Sequence, residues 1–393
     1  MNCDLKKFQS QLPDFFAPLL DELLGLGLRP IFVGGVVRDF IQIGKVGFDW
    51  DVELRHESLS FEKGFWKDLG KSLSKFGKTT FLSYEVIRLV LGPYHIEFSP
   101  PRREIFHENI DGHSNFDAEF IFNLPFEEAV KRRDFTINAM GIYFQSKKEI
   151  LFLDPLDGLN ALEKKELHCC GSDFSKDPVR YLRAHRFRLK NHLSFSPGLK
   201  VVLDSMSLNG LTPNYLWSEM QKSLDPIGYL SILIKDHKAD LLLPVGEKFL
   251  EKTKDLRSLL KDPSKLDCWG IALEWVGLSL EVWSRYFSLS EEYSKRLSRW
   301  VRTARDLQKV DPIKFQGDFI VMKDSQEFEQ LFDWYFTTKQ LLQKNPELPL
   351  LNIIELFLPH WKLLFLFELP KDVKHIDPPL RAKYQVWNLC QRL

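Results

Sequence analysis

Between Leu12 and Leu26 the apolar residues fall at helical spacing (Phe15, Phe16, Leu19, Leu20, Leu23, Leu24). Gly25 and Gly27 then break the pattern, which predicts one helix. Pro30-Ile31-Phe32-Val33 is a short unbroken apolar run and predicts a buried strand. From Gly47 to Leu54 the period drops to two. Phe48, Trp50, Val52 and Leu54 share one parity, and Asp49, Asp51 and Glu53 the other, the pattern of a strand with one buried face. A helix is expected within Glu57–Phe76, with Leu59, Phe61, Phe65, Trp66, Leu69 and Leu73 as its stripe. Lys78–Leu82 and Val86–Leu91 are strand-like. Tyr94–Phe98 alternates again, with Tyr94, Ile96 and Phe98 inward and Glu97 on the other face. Arg102–Asn123 is polar and broken, with Asn109–Asn115 at its centre, and reads as a mobile loop.

Farther on, Ile150–Leu153 is a strand running into a turn at Asp154–Gly158. Ser175–Phe187 reads as a helix, with Ser175 as N-cap and Asp177 and Pro178 in the first turn. The remainder reads as helices rich in Leu, Phe and Trp. Trp217, Trp269, Trp275, Trp283, Trp300, Trp334, Trp361 and Trp387 are expected to build a helical core. Composition shifts near Gln145–Glu149 and Pro244–Glu247 divide the chain into residues 1–147, 148–244 and 245–393.

A length of 393 residues fits two or three domains. A hydrophobic fraction of 44% and a charged fraction of 27% are those of a soluble globular protein. There is no apolar signal core at the N-terminus and no apolar run long enough to span a bilayer, so no membrane partner is expected. The five cysteines form no CxxC pair, and a reduced cytoplasmic protein is the simplest reading. Zero formal net charge neither supports nor excludes a nucleic-acid partner.

The alternation puts Asp49 and Asp51 on one strand face, roughly 7 Å apart at the backbone. Two such carboxylates repel, and a divalent cation between them removes the repulsion. Mg²⁺ favours one or two carboxylates completed by waters and substrate phosphates. Taken alone, the stretch equally suits an edge strand with a solvated acidic face. Upstream, the strand ending at Val33 runs into Gly34-Gly35 and a helical pattern carrying Arg38. Glycines at a helix start let backbone N–H groups approach a phosphate. Glu97 is a candidate third carboxylate, with Glu53 as its competitor. Arg132 and Arg133 suit triphosphate oxygens through bidentate contacts. Asp134 and Asn138 are four apart, on one helical face, and suited to ribose hydroxyls. Asp177, Arg180 and Arg183 recur every three residues, forming one row of a carboxylate and guanidinium groups that can imitate a Watson–Crick partner. Such a row selects C and A, which carry an exocyclic amine at a position where U and G do not, over U and G. Lys295, Arg296, Arg299, Arg302, Arg305 and Lys309 form a basic stripe that suits RNA phosphates or a solvated face.

Three stretches resemble one known family. Gly34-Gly35-Val36-Val37-Arg38-Asp39, Phe48-Asp49-Trp50-Asp51 and Arg132-Arg133-Asp134-Phe135-Thr136-Ile137-Asn138-Ala139-Met140 occur in the order found in the class II tRNA nucleotidyltransferase and poly(A) polymerase family. The resemblance is strong from Ile31 to Phe187 and fades by about Leu243. It implies an α+β head of nucleotidyltransferase fold, a small mixed sheet flanked by helices, followed by an all-α neck, body and tail. It further implies that the glycine turn holds a triphosphate and that Asp49 and Asp51 bind catalytic Mg²⁺. The implied activity is template-independent addition of C and A from CTP and ATP to the 3′ end of tRNA. A-only addition, poly(A) addition and an inactive RNA-binding homologue are the alternatives. The long segment at Arg102–Asn123 matches members that add the final A. The neck departs from the family pattern at Lys176, where Glu is usual, and at Asn214-Tyr215, where Glu-Arg is usual. No H…HD…D set is present, so no phosphohydrolase activity is expected, and no obligate protein partner is evident.

Overall fold

The computed structural model describes residues 2–57, 60–107, 116–236, 246–259, 284–287, 289–291 and 294–295. By compactness the chain forms two units, Met1–Thr212 and Pro213–Leu393.

The first unit opens with two helices, α1 (Leu5–Ser10) and α2 (Phe16–Gly25). The single helix expected over Leu12–Leu26 thus begins later, and α1, capped by the Asp4 side chain on Lys7 N, precedes it. Strand β1 (Arg29–Val33) leads directly into helix α3 (Gly35–Ile43), and β2 (Asp49–Arg55) returns antiparallel to β1. Helix α4 (Lys63–Leu73) follows, then β3 (Lys78–Leu82), β4 (Val86–Leu91) and β5 (Tyr94–Ser99). A separate hairpin of β6 (Arg102–Phe106) and β7 (Phe116–Phe120) precedes the short helix α5 (Phe126–Ala129). Strands β8 (Gly141–Phe144) and β9 (Ile150–Leu153) complete a seven-stranded mixed sheet in the order β3-β4-β5-β2-β1-β8-β9, in which β2 and β5 run parallel.

Trp50, Val52 and Leu54 are buried on one face of β2, as the alternation predicts. Beneath them Phe8, Phe16, Phe32, Trp50 and Phe144 make edge and tilted ring contacts that join α1 and α2 to the sheet. Phe48 departs from the expectation. It lies before β2 and is exposed, its ring against Tyr94. On the opposite face, Ile31 and Val33 pack against Phe126, Val130 and Ala139. This second cluster lays the segment 126–139 over the sheet beside the acidic side chains.

After β9 come α6 (Gly158–Glu163), β10 (Glu166–Leu167), α7 (Val179–Lys190), β11 (Ser194–Phe195) and α8 (Pro197–Ser205). The region expected to be all helical therefore contains a small parallel ladder, β10 with β11. Because β9 belongs to the head's sheet, the boundary expected at residue 147 falls inside the first unit. In the second unit the described helices include α9 (Pro213–Gln221), α10 (Pro226–Lys235) and α11 (Gly246–Leu259). Among the described residues no helix is long and apolar enough to cross a membrane. Leu59, Asn109–Asn115, the boundary at 244–245, Arg296, Arg299, Arg302, Arg305, Lys309 and every expected core Trp after Trp217 lie outside the described residues.

Candidate active site

Gly34 is the hinge on which the site is built. It sits between β1 and α3 with φ +75°, a conformation that glycine alone adopts freely. Its neighbour Val33 pairs with Asp51 across the β1–β2 ladder. A Cβ added at Gly34 would lie 2.7 Å from Asp51 Oδ2 and 3.6 Å from Arg133 Nη1. Glycine corner, metal-strand carboxylate and arginine therefore meet within one contact shell.

Asp49 and Asp51 project from the face opposite Trp50. The Asp49 side chain is 88% exposed, and its Oδ1 lies 3.2 Å from His95 Nδ1. Asp51 is reached by solvent but walled by protein. Burial pushes its carboxyl above the usual range; Arg133, Arg132 and Arg183 oppose the shift, and Glu97 adds to it. Parallel pairing sets Glu97 directly beside Asp51. Glu97 Oε1 accepts from Arg88 Nε at 2.9 Å and Nη2 at 2.6 Å, across the β4–β5 ladder. Glu53 follows on the same face, but the side chain is only 1% exposed and is held by Arg55 at 2.7 Å. Both glutamates share this face of the sheet, but only Glu97 is left open to solvent.

Arg132 and Arg133 close the site from above. Arg133 is the nearer to the glycine corner. Arg132 lies deeper, among Arg102, Arg133, Glu53 and Glu104. Burial, with Arg102 and Arg133 adding to it, outweighs the two glutamates and brings its guanidinium down to about 9. The Nε of each arginine is buried without a hydrogen-bond partner. Two arginines with unpartnered Nε atoms beside a glycine turn fit a polyanion, and two carboxylates on the adjoining strand fit a cation that the polyanion completes. Among the described residues no group of three His, Cys, Asp or Glu side chains makes a ready-built metal cage.

Asp134 and Asn138 meet, although not along a helix. Phe135 is extended, and only Thr136–Asn138 form a short 3-10 turn. Asn138 Nδ2 donates to Asp134 Oδ1 at 3.0 Å, and both residues are buried. The row of Asp177, Arg180 and Arg183 is also altered. Ser175 lies in a 3-10 turn over Ser172–Lys176 and does not cap α7, and Asp177 precedes the helix, its Oδ1 accepting from Val179 N at 3.0 Å. Arg180 is buried and donates to the carbonyls of Asp173 and Arg132. Arg183 pairs with Asp134. Lys176 pairs with Asp173 at 2.7 Å and sits 5.4 Å from the Phe106 ring centroid, so its reversed charge is answered locally. Arg38 donates inward to Asn138. Lys295, at the start of the basic stripe, pairs with Glu291.

Sequence reading passed over Arg88 and His95 and gave Glu104 no role. Glu104 Oε1 accepts from Arg102 at 2.7 Å, and its carboxylate lies within 3.8 Å of Arg132 and 3.9 Å of Arg180. A local signal for it is the alternation Arg102-Arg103-Glu104-Ile105, in which Arg102 and Glu104 turn inward.

Residues 31–168 match the family described as Poly A polymerase head domain. Similar curated proteins include a CCA-adding enzyme of Buchnera aphidicola subsp. Cinara cedri, 30% identical over 245 residues, 60% of this chain and 55% of the relative. A multifunctional CCA protein of Legionella pneumophila is 35% identical over 136 residues, 33% of this chain and 32% of its own. The chain thus spans from about a third to about half the length of these relatives. Among solved structures, a CCA-adding enzyme with ATP superposes with TM-score 0.55 at 20% identity, over 87% of this chain and 86% of that one. The Thermotoga maritima CCA-adding enzyme complexed with tRNA-CCA gives 0.52 at 20%, over 84% and 81%. The shared feature at these identities is the fold alone, a mixed-sheet head followed by helices.

Proposed function

We propose that this chain, whose residues 31–168 match the family described as Poly A polymerase head domain, is a nucleotidyltransferase that adds C and A from CTP and ATP to the 3′ end of tRNA. The observation that carries the reading is the closeness of Asp51 Oδ2 to the space above Gly34, under Arg133. A triphosphate on the glycine corner would bring its oxygens to the same point as the strand carboxylates. The names of the relatives support the substrate class.

Asp49 and Asp51, with Glu97 beside them, would hold Mg²⁺. When bound, Mg²⁺ supplies Lewis-acid charge that favours ionisation of the primer 3′-hydroxyl and balances the leaving pyrophosphate. The chain's own residues do the positioning. Backbone N–H groups at Gly34 and Gly35 receive the phosphates, and Arg133 and Arg132 neutralise them. In-line transfer to the α-phosphorus then needs little beyond alignment and charge stabilisation. Asp177 and Arg180 would read the base, Arg180 trading the carbonyls of Asp173 and Arg132 for it. The head's sheet and its cover would serve chemistry, α7 the base and residues 245–393 the tRNA, with the basic stripe from Lys295 as its contact. A reducing, cytoplasmic setting suits the free Cys3, Cys169 and Cys170.

The test is incorporation of each labelled nucleotide, with Mg²⁺, into tRNA transcripts ending at the three successive trimmed positions. C followed by A is expected. A alone would assign a partial enzyme, long A tails a polymerase, and no incorporation on any primer would overturn the reading.

A further inference from the structure

The parallel ladder of β2 with β5 sets Asp49 opposite His95 and Asp51 opposite Glu97, while Trp50 and Ile96 pair between them and are buried. Side chains two apart on a strand share a face, so the two acids of β2 and the His95 and Glu97 side chains stand on one side of the sheet. The three carboxylates are supported unequally. Asp51 lies against the glycine corner, under Arg133. Glu97 Oε1 accepts two bonds from the Arg88 guanidinium, at 2.9 and 2.6 Å. The Asp49 side chain is 88% exposed, and among the described residues its one side-chain partner is His95, with Nδ1 3.2 Å from Oδ1.

A carboxylate so exposed turns about its side-chain torsions unless something holds it, and a ligand must be held close to its working geometry. A carboxylate that ligates a cation is ionised and only accepts, so the proton of this contact belongs to His95 Nδ1. The bond fixes the carboxylate plane and leaves Oδ2 open. We infer that His95 is a positioning residue for the metal strand: its Nδ1–H holds the Asp49 carboxylate in the orientation in which Asp49 and Asp51 share a divalent cation. The inference rests on the reading of those two acids as the cation's ligands. Imidazole as a further ligand is the rival, since cis ligands on bonds of about 2.1 Å lie about 3.0 Å apart. The oxygen preference of Mg²⁺ favours the hydrogen bond.

The experiment is Mn²⁺ titration of the full chain with a methylene-bridged CTP analogue, followed by electron paramagnetic resonance. His95→Ala alters an exposed side chain and should melt with the wild type, yet bind Mn²⁺ about tenfold more weakly, the scale on which a group that orients a metal ligand acts. His95→Asn puts an amide N–H near the place of Nδ1 and should recover to within about threefold of wild type. Spin-echo modulation should show no nitrogen bound directly to Mn²⁺. Direct nitrogen coordination in the wild type that His95→Ala removes would overturn the inference and make His95 a ligand. Wild-type affinity in His95→Ala would overturn it too, as would His95→Asn recovering nothing. If His95→Ala does not fold, His95→Leu repeats the comparison, filling the space without a donor. Asp51→Ala separates the inference from the reading beneath it. Weakened binding in Asp51→Ala with wild-type binding in His95→Ala removes the inference alone; wild-type binding in both removes the shared cation as well.

Discussion

Asp51 and Asp134 are carboxylates in one neighbourhood with opposite responses to it. Asp51 is raised by burial, with Arg133 opposing and Glu97 adding. In the folded chain it holds a proton more readily than in the unfolded one, so ionising it as pH rises through its folded value costs stability. Asp51→Asn should therefore raise the melting temperature at neutral pH while lowering incorporation by about a thousandfold, the scale on which a preorganised charged group acts. Asp134 goes the other way. Burial alone would raise it, but the Arg183 charge and the bonds from Asn138, Arg183 and Phe135 N prevail and hold it at about 2. Its contribution, roughly 2 kcal/mol on the linkage relation, is full above the unfolded value near 3.8 and is lost as pH falls toward 2. Urea melts across pH should show Asp134→Asn less stable than wild type at pH 7 and equal to it near pH 2. The Asp49–Asp51 pair was legible because a strand writes its faces into the sequence. The Arg88 pair with Glu97 was not, because a side-chain pair across strands depends on register, and neither were the contacts of Glu104 with Arg132 and Arg180, which lie far along the chain.

The glycine corner shows what an element demands of single positions. At Gly34 φ is +75° and an added Cβ would press on Asp51 Oδ2, whereas at Gly35 the nearest atom, Arg38 Nη2, is 3.6 Å away and φ is ordinary. Gly34→Ala should cost at least about 1 kcal/mol and most of the activity, while Gly35→Ala should stabilise the α3 start by up to about 1 kcal/mol. Thermal melts of the two variants separate these outcomes. The hairpin β6–β7 was misread as a loop because its polar parity faces inward: Arg102 and Glu104 are turned to the arginine cluster and Ile105 is exposed. Glu104→Gln removes the counter-charge shared by Arg102, Arg132 and Arg180. It should destabilise by about 3 kcal/mol, the cost of stripping one partner from a buried ion cluster. The start of α7 was misplaced for a related reason. Ser175 and Asp177 both have capping chemistry, and the chain uses Asp177 at Val179 N.

For the whole molecule, the order of glycine turn, acidic strand and arginine pair was readable, and so was a mixed sheet followed by helices. The division into units was less so. β9 pairs with β8, which makes the segment after residue 147 part of the head's sheet, a long-range fact with no compositional trace. A chain ending at Thr212 contains the entire glycine corner, the acidic strand and α7. It should fold, bind CTP with Mg²⁺, and lose most of its tRNA affinity in a filter-binding titration. The central claim is that Asp49 and Asp51 share a divalent cation with a nucleotide seated on Gly34 and Gly35. Electron paramagnetic resonance titration of Mn²⁺, with and without a non-hydrolysable CTP analogue, reads that sharing without turnover. Mn²⁺ binding that tightens with the analogue in the wild type and no longer does so in Asp51→Ala is the predicted result; equal tightening in both proteins would contradict it.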